Sequence, residues 1–164
     1  MKKRWKKTAA AVFMIIALVC LAGVFLIRDS AENLELTHYT AENAGLPESF
    51  AGFKIVQLSD FHGAEFVDDI VTLVKAEKPD IIALTGDFIT DGGDLPAVRE
   101  LAQRLTDICD VYFVSGNHDF ASGKIDELSD ILKACGVKYL RNEYVVLERR
   151  GERIVLAGVE DPNS

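Results

Sequence analysis

Three short apolar runs, each closed by a polar turn, constrain this chain more than any other feature. Phe53–Ser59 runs into Asp60-Phe61-His62-Gly63, and Asp80–Thr85 runs into Gly86-Asp87-Phe88-Ile89-Thr90-Asp91. Val111–Val114 runs, through Ser115, into Gly116-Asn117-His118-Asp119. Between the first two, Val67–Lys78 places apolar residues at 67, 70, 71 and 74, a helical spacing that Pro79 stops. Between the second and third, Leu95–Ile108 reads as a helix with Pro96 in its first turn. Strand–helix–strand alternation predicts a parallel sheet with helices on its faces. Ligands in such folds collect beyond the carboxyl ends of the strands, which is where the three polar turns fall.

The rest of the chain extends this pattern. Lys124–Ala134 reads as a third helix with Gly136 at its C-cap, and Val137–Leu140 as a fourth strand. Glu143–Leu147 and Arg153–Val159 read as a hairpin around Arg149-Arg150-Gly151-Glu152. Upstream, Leu34–Tyr39 reads as a short strand, with His38 a structural residue in it, and Glu42–Gly52 reads as a loop. Cys109 and Cys135 are 26 residues apart and form no C-x-x-C, which leaves a disulfide or two buried thiols.

The first 28 residues differ from the rest. They hold six of the 18 Lys and Arg and none of the 26 Asp and Glu, so residues 29–164 carry 12 positive against 26 negative side chains. A body this acidic excludes a nucleic-acid backbone as an expected partner, because phosphate contacts draw on Lys and Arg. It is compatible with metal cations, which carboxylates bind. Thr8–Ile27 is an uncharged run of 20 residues, preceded by five positive side chains. As a helix it spans about 30 Å, the thickness of the bilayer hydrocarbon. The positive-inside rule places its N-terminus in the cytoplasm and the body outside. A cleaved signal peptide is the competing reading, with Cys20-Leu21-Ala22 before Gly23 as a weak small-residue site; either way the body is exported. The expected organisation is thus 1–28 as basic stub and transmembrane anchor, 29–52 as linker with a short leading strand, and 53–164 as the catalytic portion.

Taken singly, each polar turn reads as an ordinary cap or bend. Together they deliver two carboxylates, two imidazoles and a carboxamide to one rim. Gly86 and Gly116 stand directly before Asp87 and Asn117, where a sharp turn aims the next side chain into that rim. The chemistry that uses such a set is a two-metal hydrolytic site, in which an Asp from the central turn supplies a shared anionic bridge. Asp60 and His62, two positions apart on a loop, suit one metal, and the Asn117 carbonyl oxygen suits a second. His118 is placed to stabilise developing charge or to protonate a leaving oxygen. There is no G-x-S-x-G and no G-x-x-x-x-G-K-[ST], so serine-hydrolase and P-loop readings fail.

The set D-x-H (60–62), G-D (86–87) and G-N-H-D (116–119), with spacings of 27 and 30 between Asp60, Asp87 and Asn117, resembles the calcineurin-like metallophosphoesterases. Within them it is most similar to the membrane-anchored or exported bacterial branch. The resemblance implies an α/β fold, the N-terminal part of a four-layer α/β/β/α sandwich, preceded here by one transmembrane helix. It implies two divalent metal ions (Mn, Fe or Zn) acting through metal-activated water on a phosphodiester or phosphomonoester. Asp60 and His62 would bind one ion, Asp87 would bridge, Asn117 would bind the other, and His118 would be the catalytic histidine. A lipid or envelope-derived phosphoester fits the membrane placement. The alternative is a non-catalytic exported binding or scaffold module that retains the fold, or an inactive fragment.

Two departures from the family pattern stand out. Relatives often place a second Asp three residues after the bridging one; here that position is Thr90, and Asp91 follows it. The family also continues into a lone His and a G-H-x-H motif, whereas no His follows His118. The expectation is a catalytic domain represented by its N-terminal part. On its own that part would bind metal weakly, dissolve poorly without its anchor and be catalytically silent.

The charge asymmetry generates a topological prediction. External protease added to intact spheroplasts should digest the body. A body that resists until the membrane is permeabilised would overturn the N-in, body-out arrangement.

Overall fold

The computed structural model describes residues 14–16, 18–19, 21, 34–63, 66–90 and 95–161. It divides into two units, residues 1–40 and residues 41–164. In the first unit, Met14–Ile16, Leu18, Val19 and Leu21 are helical and exposed. Most of the expected anchor lies outside the described residues, and among the described residues no helix is long and apolar enough to cross a membrane. The expected strand at Leu34–Tyr39 is absent: residues 34–43 have no regular structure, and Leu34 and Leu36 are exposed. A short apolar alternation makes a strand only when a neighbouring ladder takes up its backbone groups. His38 is accordingly an exposed residue of an irregular segment rather than a strand residue.

The second unit begins with a single 3-10 turn at Glu48–Phe50, inside the span expected to be a loop. Its main chain then follows the expected alternation: β1 (Ile55–Leu58), α1 (Val67–Glu77), β2 (Ile81–Thr85), α2 (Leu95–Thr106) and β3 (Asp110–Val114). After β3 come α3 (Asn117–Ala121), α4 (Ile125–Ala134), β4 (Lys138–Tyr139) and the hairpin β5 (Glu143–Arg149)–β6 (Glu152–Gly158). Helix α3, five residues long, was not foreseen, because a helix this short shows no periodicity. Lys78 ends α1 in the left-handed conformation (φ 51°) just before Pro79. Gly136 (φ 88°) fills the position after α4 that favours glycine. Arg150 and Gly151, both at positive φ, make the two-residue turn whose twist suits an antiparallel hairpin.

Strands β1 to β4 form one parallel sheet whose spatial order matches the chain order. When each crossover is right-handed and each step goes the same way, all the helices land on one face. The core follows from that. Val71 and Val74 of α1, Val98, Leu101 and Leu105 of α2, and Leu128 and Leu132 of α4 pack with Ile82, Leu84, Val111 and Phe113 of the sheet. Each such side chain contributes about 1.5–3 kcal/mol by leaving water. The opposite face carries Ile81 and Tyr112, with Leu140 just beyond β4, packed against Val145, Leu147 and Leu156 of the hairpin. Strand β2 is thus covered on both sides, which is why its sequence is a continuous apolar run rather than an alternation. The unit is an α/β fold of three layers among the described residues: helices, parallel sheet, hairpin.

Cys109 and Cys135 are free thiols, both half-buried. Desolvation pushes each thiol above its ordinary pKa. The reactive thiolate is therefore scarce at about pH 8. Alkylation of the folded chain should be slower at both positions than in the denatured chain, and a non-reducing digest should contain no peptide pair joining them. Rapid labelling of either cysteine in the folded state would contradict this burial.

Candidate metal centre

The carboxyl ends of β1, β2 and β3 lie side by side, and each continues into one of the three polar turns. Their backbones are tied together first. Asp60 N–H donates to Gly86 O at 3.2 Å and His62 N–H to Asp87 O at 3.1 Å, joining the first turn to the second. His118 N–H donates to Asp87 Oδ1 at 3.0 Å, joining the second to the third. Gly86 and Gly116 face each other across this junction. A Cβ on Gly86, which sits at φ 86°, would stand 2.6 Å from Gly116 N. A Cβ on Gly116 would collide with the carboxylate and the N–H of Asp87. Glycine is required here by the approach of two backbones, not by chain flexibility in general.

The side chains then converge. Asp60, His62 and Asp87 each offer one ligand atom, and these atoms all lie within 4.8 Å of one another. All three residues have a left-handed backbone, with φ of 58°, 51° and 56°. Asp60 is largely exposed, and its Oδ1 is 3.8 Å from His62 Nε2. His62 Nδ1 is buried with no hydrogen-bond partner. One imidazole and two carboxylates that converge in this way are the donor set of a borderline divalent cation. The residues thus fit a metal on an observation independent of motif.

Asn117 and His118, the first two residues of α3, are both exposed at the same rim. The His118 ring meets the His62 ring edge-on, with centroids 5.3 Å apart. Thr90 is half-buried, and Asp91 lies outside the described residues.

One residue of the third turn carried no role in the sequence reading. Asp119 is fully buried, and its two oxygens accept four backbone N–H groups, from Gly116 and Asp87 on Oδ2 and from Phe88 and Ile89 on Oδ1. Burial pushes this carboxyl up, against the four N–H donors that pull it down. Its position as the third residue of α3, where an acidic side chain reaches back to the N-cap N–H, was the available signal.

A parallel α/β sheet whose adjacent strand ends bring Asp60, His62 and Asp87 together presents a group that could hold a metal ion. Comparison with known proteins gives the class a family. The profile described as calcineurin-like phosphoesterase matches residues 53–158, and the chain belongs to that family. A Bacillus subtilis (strain 168) relative, the uncharacterized metallophosphoesterase YkuE, is 31% identical over 142 residues, covering 78% of this chain and 48% of that protein. An uncharacterized metallophosphoesterase of Aquifex aeolicus (strain VF5) is 35% identical over 136 residues, covering 78% of this chain and 49% of that protein. A zebrafish (Danio rerio) transmembrane protein with metallophosphoesterase domain is 28% identical over 160 residues, covering 90% of this chain and 36% of that protein. The chain spans between about a third and a half of the length of these relatives.

The glycine junction yields a prediction. Gly116→Ala must displace Asp87, at an overpacking cost of about 1–3 kcal/mol. Urea melts should register that loss, and titration with Mn(II) should show weakened binding. An unchanged Mn(II) affinity would mean that the two turns do not need this approach.

Proposed function

We propose that the chain provides the first half of a binuclear metallophosphoesterase site, and that the complete enzyme hydrolyses a phosphodiester or phosphomonoester. The observation that carries the reading is the convergence of Asp60, His62 and Asp87, whose ligand atoms all lie within 4.8 Å of one another. In this reading Asp60 and His62 would hold one divalent ion (Mn, Fe or Zn), Asp87 would serve both ions, and the Asn117 carboxamide oxygen would hold the second. When bound, such a pair supplies Lewis-acid charge for the phosphoryl oxygens and lowers the pKa of water near neutrality.

The residues of the chain do the rest. The two nearby carboxylates, Asp60 and Asp87, concentrate negative charge that draws the cations in. The His118 backbone N–H holds Asp87 Oδ1 in place, so one residue serves both turns. The exposed His118 imidazole faces the space in which a substrate would sit and gives its proton to the leaving oxygen. The acidic body disfavours nucleic acid and leaves small or lipid-borne phosphoesters as the substrate class. The 20-residue apolar run anchors the protein by a single pass with the catalytic portion outside the cytoplasm, next to lipid or envelope-derived phosphoesters.

The roles separate experimentally in the complete enzyme. Asp87→Ala should abolish loading of both metals and all turnover. His118→Ala should keep its metals and lose turnover by roughly 10²–10⁴-fold, the range of a general acid. Metal analysis beside an aryl phosphodiester assay reads both. Metal loss in the His118 variant, or full activity in the Asp87 variant, would overturn the assignment, and a wild-type protein that binds metal yet turns over no phosphoester would favour a binding module.

A further inference from the structure

We infer that Asp119 is a positioning residue for the metal centre, acting on Asp87 through the backbone without touching a reacting atom. The inference rests on the metal-centre reading above. Three of its four donors are the consecutive N–H groups of Asp87, Phe88 and Ile89, and the fourth is that of Gly116. The distances are 2.8 to 3.0 Å. Successive N–H groups converging on one anion form a nest, and here the anion belongs to the protein. Hydrogen bonds to a charged acceptor are about twice as strong as neutral ones.

The donors reveal what the clamp is for. They come from only two turns, and those are the turns that carry Asp87, Asn117 and His118. No donor comes from the body of a strand in the sheet. Asp87 itself sits at φ 56°, a left-handed conformation that an isolated aspartate leaves readily. Asp119 pulls on the Asp87 N–H from the interior while the His118 N–H holds the Asp87 carboxylate from the rim. Backbone and side chain of the same residue are thereby fixed from opposite sides, before any cation arrives.

The Asn and Ala variants grade the effect. Asp119→Asn keeps one acceptor oxygen for two of the N–H groups and turns an amide donor toward the other two. Asp119→Ala leaves all four buried N–H groups unpaired. The full chain in detergent is titrated with Mn(II) alone, following the free-ion EPR signal. Affinity should fall by roughly 10–100-fold in the Asn variant, the range for residues that orient ligands, and further in the Ala variant. Circular dichroism should stay that of the wild type in the Asn variant. A brace of the fold alone would lower the melting temperature and leave the Mn(II) affinity unchanged, which would overturn the inference.

A second measurement does not depend on the variants folding. In the metal-free wild type, hydrogen exchange read by NMR should find the amides of Asp87, Phe88, Ile89 and Gly116 already protected. Free exchange of these amides until Mn(II) or Zn(II) is added would show that the cation, not Asp119, orders the turn, and would overturn the inference while leaving the metal-centre reading intact. Protected amides in a wild-type chain that binds no Mn(II) would overturn the metal-centre reading and this inference with it.

Discussion

The close approach of two backbones at Gly86 and Gly116 is the constraint on which the rest of this site depends. Adjacent parallel strands run about 4.8 Å apart, and turns that leave their ends normally diverge. Here the turns stay in contact, because neither glycine carries a Cβ that would stand in the other's place. That contact lets Asp119 reach across to the Asp87 turn and lets the His118 N–H reach the Asp87 carboxylate. A side chain at either glycine would separate β2 from β3 at the one point where their ends must cooperate.

The winding of the sheet sets the second condition. Because the strands lie in chain order, the helices fill one face and leave the other to the hairpin. The sheet whose strand ends form the rim is therefore covered by helices on one face and by the hairpin on the other. Burial and exposure then divide by function. Asp119 is fully enclosed and satisfied by backbone donors, whereas Asp60, Asn117 and His118 stand in solvent. The buried carboxylate organises, and the exposed groups remain available to a ligand.

Most of the helices and strands of the second unit were legible in the sequence, because long periodic stretches carry their own evidence. Helix α1 showed apolar positions at 67, 70, 71 and 74, and the structure buries those four. The continuous run of β2 announced a strand covered on both sides. The misses have physical causes. Leu34–Tyr39 has the composition of a strand but no regular structure, and ladder pairing cannot be read from one segment. Helix α3 is too short to show a period. In the site, Asp60, His62 and Asp87 were legible because three polar turns recurred at strand ends, and the structure groups them. The part played by Asp119 was legible only in part: its place three residues after Gly116 signals a reach back to the N-cap N–H, but not the three amides of the neighbouring turn that it also gathers.

The left-handed backbones of Asp60, His62 and Asp87 carry one further consequence. Non-glycine residues held there cost of order 1 kcal/mol or more each, and the surrounding hydrogen bonds must hold them against that preference. At Asp60 and His62 a glycine would suit the backbone better than the residue present. Stability and ligand chemistry therefore pull in opposite directions along this rim. A lineage selected for robustness alone would drift toward glycine at these places and lose the site while keeping the fold.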